Sequence, residues 1–188
     1  CYWQKVYEIP EGSYTARGRS IANLVEMEKD ESTSSYLAVR EFSEDQFVMF
    51  VTREGKVKRT SLAAFANPRR KGILAMTIAD DDELVGTMLT SGKDDVLLIT
   101  REGMGVRFKE TAVRDMGRTA AGVRGINVGK KDRVVGCVLC DPEQSLLVVT
   151  EKGLGKRTDF DLFPVRNRGG KGVIAAKLLD KSGKLAAA

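Results

Sequence analysis

Apolar and β-branched residues fall in short blocks along this chain, each block closed by a polar or glycine-containing turn. Phe47 to Thr52 is such a block, Arg53-Glu54-Gly55 supplies a hairpin turn with glycine where a positive φ is needed, and Lys56 to Thr60 alternates as a return strand. After a loop holding Asn67-Pro68-Arg69-Arg70-Lys71, the segment Ile73 to Ile78 predicts a third strand. Asp80 to Glu83 then turns the chain and Leu84 to Leu89 predicts a fourth. Nowhere does an apolar stripe of helical period persist over the ~10–12 residues a typical helix needs. The pattern predicts an all-β chain.

The blocks repeat. Val48-Met49-Phe50-Val51-Thr52-Arg53-Glu54-Gly55 returns as Val96 to Gly103 and as Leu146 to Gly153, with the glycines 48 and 50 residues apart. Lys58-Arg59-Thr60 returns as Lys156-Arg157-Thr158. A basic segment ends at Gly72, Gly122 and Gly172, with Gly18 in the corresponding earlier place. The units are 47–95, 96–145 and 146–188, preceded by a partial unit over 1–46, about three and a half repeats in one domain over 1–188. Four strands per unit at this period predict a propeller-like array of stacked blades, with a solenoid as the rival. Because known propellers have ~4–8 blades, the array is expected to stay open, with blade edges at both ends. The start, Cys1-Tyr2-Trp3, has no initiator Met and no signal-peptide character, and the end stops inside a fourth strand, so the chain reads as a piece of something longer.

Composition narrows the chemistry. The 188 residues, 42% apolar and 30% charged, suffice for a hydrophobic core without staples, and no apolar run approaches a bilayer span. No histidine is present, which removes Ser/His and Cys/His triads. Three cysteines, an odd number, argue for a reducing compartment and hence the cytoplasm. Cys137-x-x-Cys140 has no second pair to complete a zinc shell and reads as packed thiols. Asp80 to Glu83 reads as a solvated turn rather than a cation site. Gly169-Gly170-Lys171-Gly172 lacks the Ser or Thr and the following helix of a phosphate-binding loop. No catalytic, cofactor or metal residue is assigned.

Charge is graded. Net charge runs from −4 over 1–50 through +1 and +3 to +5 over 151–188, for a total of +5. The basic loops recur at one place in the repeat: Tyr14 to Arg19 with Arg17 and Arg19; Pro68 to Gly72 with Arg69, Arg70 and Lys71; Arg114 through Arg118 to Arg124; and Arg166 to Gly172 with Arg168 and Lys171. Stacking the repeats in register would place these loops on one rim, where successive phosphates of a bent duplex could be neutralised, with glycine allowing close backbone approach. Single-strand binding would need exposed rings among the cations, yet Phe65, Phe108 and Phe163 read as a repeating blade-packing position and only Tyr14 lies inside a basic loop. Double-stranded DNA, bound through its backbone with little reading of bases, is the expected partner.

At these residues the chain resembles the C-terminal domain of bacterial DNA gyrase A. The resemblance rests on Lys5-Val6-Tyr7-Glu8-Ile9-Pro10, Thr15-Ala16-Arg17-Gly18-Arg19, Met116 to Ile126, and Gly153-Leu154-Gly155-Lys156-Arg157-Thr158, and runs end to end. It implies a β-pinwheel, a disc of about six blades with altered strand exchange, whose basic rim wraps duplex DNA. The holoenzyme, two A and two B subunits, then supercoils the DNA negatively with ATP bound elsewhere. ATP and Mg are therefore expected in other regions, as is the catalytic tyrosine. The family's box, Gln-Arg-Arg-Gly-Gly-Lys-Gly, belongs to the first blade; Arg166 to Gly172 resembles it with Arg for Gln and Asn for the first Arg. The alternatives are the similar domain of topoisomerase IV, which wraps DNA poorly, and a protein-interaction propeller. A nucleoid-associated cytoplasmic location without membrane contact is the matching expectation.

Overall fold

In the computed structural model, which describes residues 1–28, 31–67 and 69–188, the three echoed blocks form three antiparallel hairpins. β1 (Phe47–Thr52) pairs with β2 (Lys56–Ser61), β4 (Asp95–Thr100) with β5 (Met104–Lys109), and β8 (Ser145–Thr150) with β9 (Gly155–Asp159). The recurring Thr-x-x-Gly explains the turn. Gly55 takes φ 79° and its N–H donates to the Thr52 carbonyl at 3.0 Å, while the Thr52 hydroxyl accepts the Lys56 N–H at 3.2 Å. Thr100 and Thr150 accept from Met104 and Leu154 in the same way, at 3.3 and 3.1 Å.

The fourth-strand segments form as expected and lie antiparallel to the first strand of their own unit. β3 (Leu84–Thr90) pairs with β1, β7 (Val134–Leu139) with β4, and β11 (Leu185–Ala187) with β8. The third-strand expectation needs correction. Ile73 to Ile78 forms no strand, and its counterparts shrink to β6 (Val123–Arg124) and β10 (Val173–Ile174). Each of these short strands pairs with the preceding sheet: β6 on β2, β10 on β5. The sheet orders are therefore β3-β1-β2-β6, β10-β5-β4-β7 and β11-β8-β9. Ile73 makes the same exchange in miniature, since its N–H donates to the Cys1 carbonyl at 3.0 Å and its own carbonyl accepts from the Cys1 amine at 2.9 Å.

Pairing stops after two residues because the chain then turns inward. The Gly125 and Ile126 N–H groups both donate to the Gly55 carbonyl, at 2.8 and 3.2 Å, and Ala175 and Ala176 treat Gly103 alike, which drives Ile126 and Ala176 into the core. The central strands β1 and β4 are buried on both faces, which is why they read as continuous apolar runs, whereas β8 leaves Leu147 exposed. Met49 and Val51 join Val96, Leu98, Phe108 and Ile126 in one cluster, Val48 and Phe50 join Leu62 and Phe65 in another, and Leu97 and Ile99 join Leu146, Val148 and Phe163 in a third.

Phe65, Phe108 and Phe163 are all buried, but Phe108 sits within β5, and Val113 fills the place at the end of the short 3-10 turn that Phe65 and Phe163 occupy in their units. Cys137 packs against the first cluster and Cys140 against the third, since three residues along a strand reverse the face.

Candidate nucleic-acid interface

The third and fourth basic loops lead into segments that dock on the preceding sheet, the second leads to Ile73 docked on Cys1, and the docking is close. Gly122, at φ 85°, lies against the Val57 carbonyl, where a Cβ would stand 2.6 Å from the oxygen. The expectation that these glycines let a ligand approach is therefore corrected for Gly72, Gly122 and Gly172: the backbone they admit is that of the neighbouring unit. Gly18 faces open space, with φ 72°.

The segment that follows one loop touches the next loop in register. Thr77 donates its N–H to the Ala120 carbonyl at 3.4 Å and its hydroxyl to the Thr119 carbonyl at 2.7 Å. Fifty residues on, the Asn127 N–H donates to the Gly170 carbonyl at 2.9 Å, and Gly169 N–H to the Gly125 carbonyl at 2.6 Å. The segment behind loop 69–72 thus meets loop 114–124, and that loop meets loop 166–172 in turn. The loop carrying Arg17 and Arg19 makes only local bonds, such as Ala16 N–H to the Ser13 carbonyl at 3.0 Å, and the segment after it reaches the second loop through Glu26. Pro68, assigned to the second loop, lies outside the described residues.

The side chains divide by use. Arg17, Arg19, Arg69, Lys71, Arg114, Arg124, Arg166 and Lys171 are exposed, and among the described residues no carboxylate forms an ion pair with any of them. Arg70 is paired with Glu26 at 2.6 Å. Arg118 is half-buried and lends its carbonyl to the Lys58 ammonium. Arg168 is committed to structure: Nε donates to the Ala112 carbonyl and Nη1 to the Arg124 carbonyl, both at 2.9 Å. By contrast, the arginines of the hairpin turns carry carboxylate partners, Arg53 with Glu83 at 3.1 Å and Arg101 with Glu151 at 2.5 Å. The acidic turn is spent similarly, the Asp82 carboxylate accepting the Glu54 and Glu83 N–H groups, both at 2.9 Å.

A groove of about 840 Å³ runs between the end of β5 and the fourth loop, with Lys109 and Thr111 on one wall and Arg166, Asn167 and Lys171 on the other. Lys109 escaped the sequence reading because Ser61 and Asp159 hold the equivalent places, so no repeating cation marks it. A groove with three cations, a hydroxyl and an amide suits the oxygens of a phosphodiester.

The sequence profile of the family described as DNA gyrase C-terminal domain, beta-propeller, matches residues 1–33, 46–91, 94–141 and 144–188. The DNA gyrase A protein of Salmonella typhimurium is 46% identical over 187 residues, which take in 100% of this chain and 21% of that protein. The DNA gyrase A protein of Clostridium acetobutylicum is 47% identical over 184 residues, 98% of this chain and 22% of that one. The chain spans about a fifth of the length of these curated relatives. Among solved structures, the C-terminal domain of DNA topoisomerase IV superposes with a TM-score of 0.83 at 28% identity, covering 96% of this chain and 56% of that chain. The DNA gyrase A C-terminal domain superposes with a TM-score of 0.80 at 22% identity, over 92% and 58%, a likeness of fold. With sheets that exchange strands between repeats and a profile match along nearly its whole length, the chain belongs to the DNA gyrase C-terminal domain, beta-propeller, family.

Proposed function

We propose that this chain is a non-catalytic, duplex-DNA-binding and wrapping part of a DNA gyrase A protein. The observation that carries the reading is the adjoining of three basic loops whose cations are largely free of carboxylates, on a protein whose hairpin-turn arginines are paired. Duplex following these loops would have its phosphates neutralised by Arg69, Lys71, Arg114, Arg124, Arg166 and Lys171 in turn. The bend so imposed would present DNA to the rest of a topoisomerase built from A and B subunits, where cleavage and ATP hydrolysis reside. Binding of this kind depends on salt and hardly on sequence. No described helix is long and apolar enough to cross a membrane. Placement in the cytoplasm with the nucleoid accords with a DNA ligand.

The test is a salt titration of duplex affinity for the chain and for a variant with Arg114, Arg124, Arg166 and Lys171 all replaced by Gln. Loss of four phosphate contacts should make the slope of log K against log salt shallower by about 3–4. An unchanged slope would refute the loop assignment. The likeness to the topoisomerase IV domain gives the second reading, binding without chiral wrapping. Relaxation of closed circular DNA in the presence of the complete domain separates the two, because only a wrapper shifts linking number in one direction.

A further inference from the structure

Lys58 stands in the middle of β2, directly across from Phe50 on β1, and its residue is 0% exposed. A buried ammonium ordinarily has a carboxylate partner. Among the described residues none forms an ion pair with Lys58. Its Nζ donates instead to two carbonyls from successive units, Ala75 behind the second basic loop and Arg118 within the third, and lies 5.1 Å from the centre of the Phe50 ring. No other unit is built this way, since Val106 holds the equivalent place in β5 and Lys156, in β9, is exposed.

Among the described residues the surroundings of the ammonium are otherwise without compensating charge. β1 presents the Phe50 ring, β6 places the exposed Arg124 on this face opposite Lys56, and the segment after Gly72 presents a carbonyl; Val123 and the Arg59–Asp115 ion pair belong to the alternate face of β2. The charged group that bears on Lys58 is the Arg118 guanidinium, which repels it. Two loops that must hold a polyanion are thereby pinned by a cation whose own counter-ion is missing.

We propose that Lys58 is the positioning residue that fixes the spacing of the second and third basic loops, and that duplex lying along those loops supplies the counter-charge it lacks, so that DNA binding and protonation of Lys58 are linked. The proposal rests on the duplex-binding reading above. Burial first, and Arg118 second, bring the Lys58 ammonium down to a pKa of about 8 in the free protein. Phosphates arriving along the third loop, at Arg114 and Arg124, favour the charged form and raise that value. The complex then binds more protons than the free protein, so affinity falls as pH rises through the free value.

The experiment measures duplex affinity by fluorescence anisotropy at constant ionic strength between about pH 7 and about pH 9.5, and follows Lys58 by NMR of 13C-labelled lysine with and without the duplex. If bound DNA raises the Lys58 value by about one unit, affinity drops about fivefold between pH 7 and pH 9. Lys58→Met and Lys58→Arg, which cannot titrate in this range, should both lose that drop. The Arg variant should hold the neutral-pH affinity closer to the parent, since the cation that bridges the loops is kept. An upward move of the Lys58 midpoint on adding DNA, seen in the parent chain, supports the linkage even if a variant folds poorly. A midpoint that stays put, or a Met variant with the parent's full pH dependence, overturns it. Absence of any duplex binding at neutral pH and about 50 mM salt would remove the duplex-binding reading itself, an outcome distinct from binding with an unmoved midpoint.

Discussion

Gly172 is pressed against the backbone of Gly105, so that a Cβ on Gly172 would stand 2.0 Å from the Gly105 carbonyl oxygen. The contact joins the end of the fourth basic loop to the preceding sheet, and the φ of 80° adds a second demand for glycine. Gly172→Ala should therefore destabilise the chain by more than about 3 kcal/mol, the left-handed backbone alone accounting for about 1–2. Gly153, with φ 78° and open space around it, supplies the comparison: Gly153→Ala should show the backbone cost alone. Urea unfolding of both variants tests this, and equal losses would mean that the close approach costs nothing.

Arg168 lies in the basic loop that most resembles a DNA-wrapping box, yet its guanidinium is bound to the Ala112 and Arg124 carbonyls. Arg168→Gln should weaken duplex binding by loosening the third loop from the fourth while leaving the salt slope within error of the parent. Lys171→Gln, in the same loop and exposed, should make the slope shallower by about 0.9. Reversed effects in the two salt titrations would assign Arg168 to the DNA.

Glu110 is wholly buried at the junction of two units. Its carboxylate accepts the Thr90 hydroxyl at 2.6 Å and the Asp94 N–H at 2.8 Å, and Arg59 lies 3.7 Å away, itself clamped by Asp115. Removing the carboxylate takes the acceptor from the buried Thr90 hydroxyl and the half-buried Asp94 N–H and leaves the buried Arg59 with Asp115 alone, so Glu110→Ala should cost about 3–5 kcal/mol by denaturant unfolding. Glu110→Gln keeps an acceptor for one of them and should cost less than half as much. A loss below about 1 kcal/mol for the Ala variant would show that the junction does not depend on this group.

Burial pushes the Cys137 and Cys140 thiols up to about 11, while Cys1 is exposed. At pH 8 both of these cysteines are then protonated and unreactive, because the thiolate is the nucleophile. A thiol-reactive chromophore should label Cys1 rapidly in the native protein and reach all three cysteines only in denaturant. Rapid native labelling of Cys137, on β7, or of Cys140, just past it, would contradict their packing.

The hairpins were fully legible from Phe47-to-Thr60-type blocks, because apolar alternation and a glycine turn are local properties. The place where the third segment docks was not. Val123 looks the same in sequence whether it pairs with its own unit or with Val57, and the choice falls to Gly122 fitting against a carbonyl that is distant along the chain. Likewise the row of basic loops could be listed from the sequence, but Arg168 and Arg70 could not be told from Arg166 and Lys171, since only folding brings Arg124, Ala112 and Glu26 within reach.

By itself the sequence determined the all-β character, the repeat and the recurrence of cations at one place in it, since period and turn chemistry are written in neighbouring residues. The tertiary structure alone decided which strands cross between units, which cations are consumed in holding loops together, and that Lys58, indistinguishable in sequence from Lys156, is buried without a counter-ion among the described residues. Each of those outcomes depends on desolvation and on carbonyls or carboxylates far away along the chain, quantities that no local pattern carries.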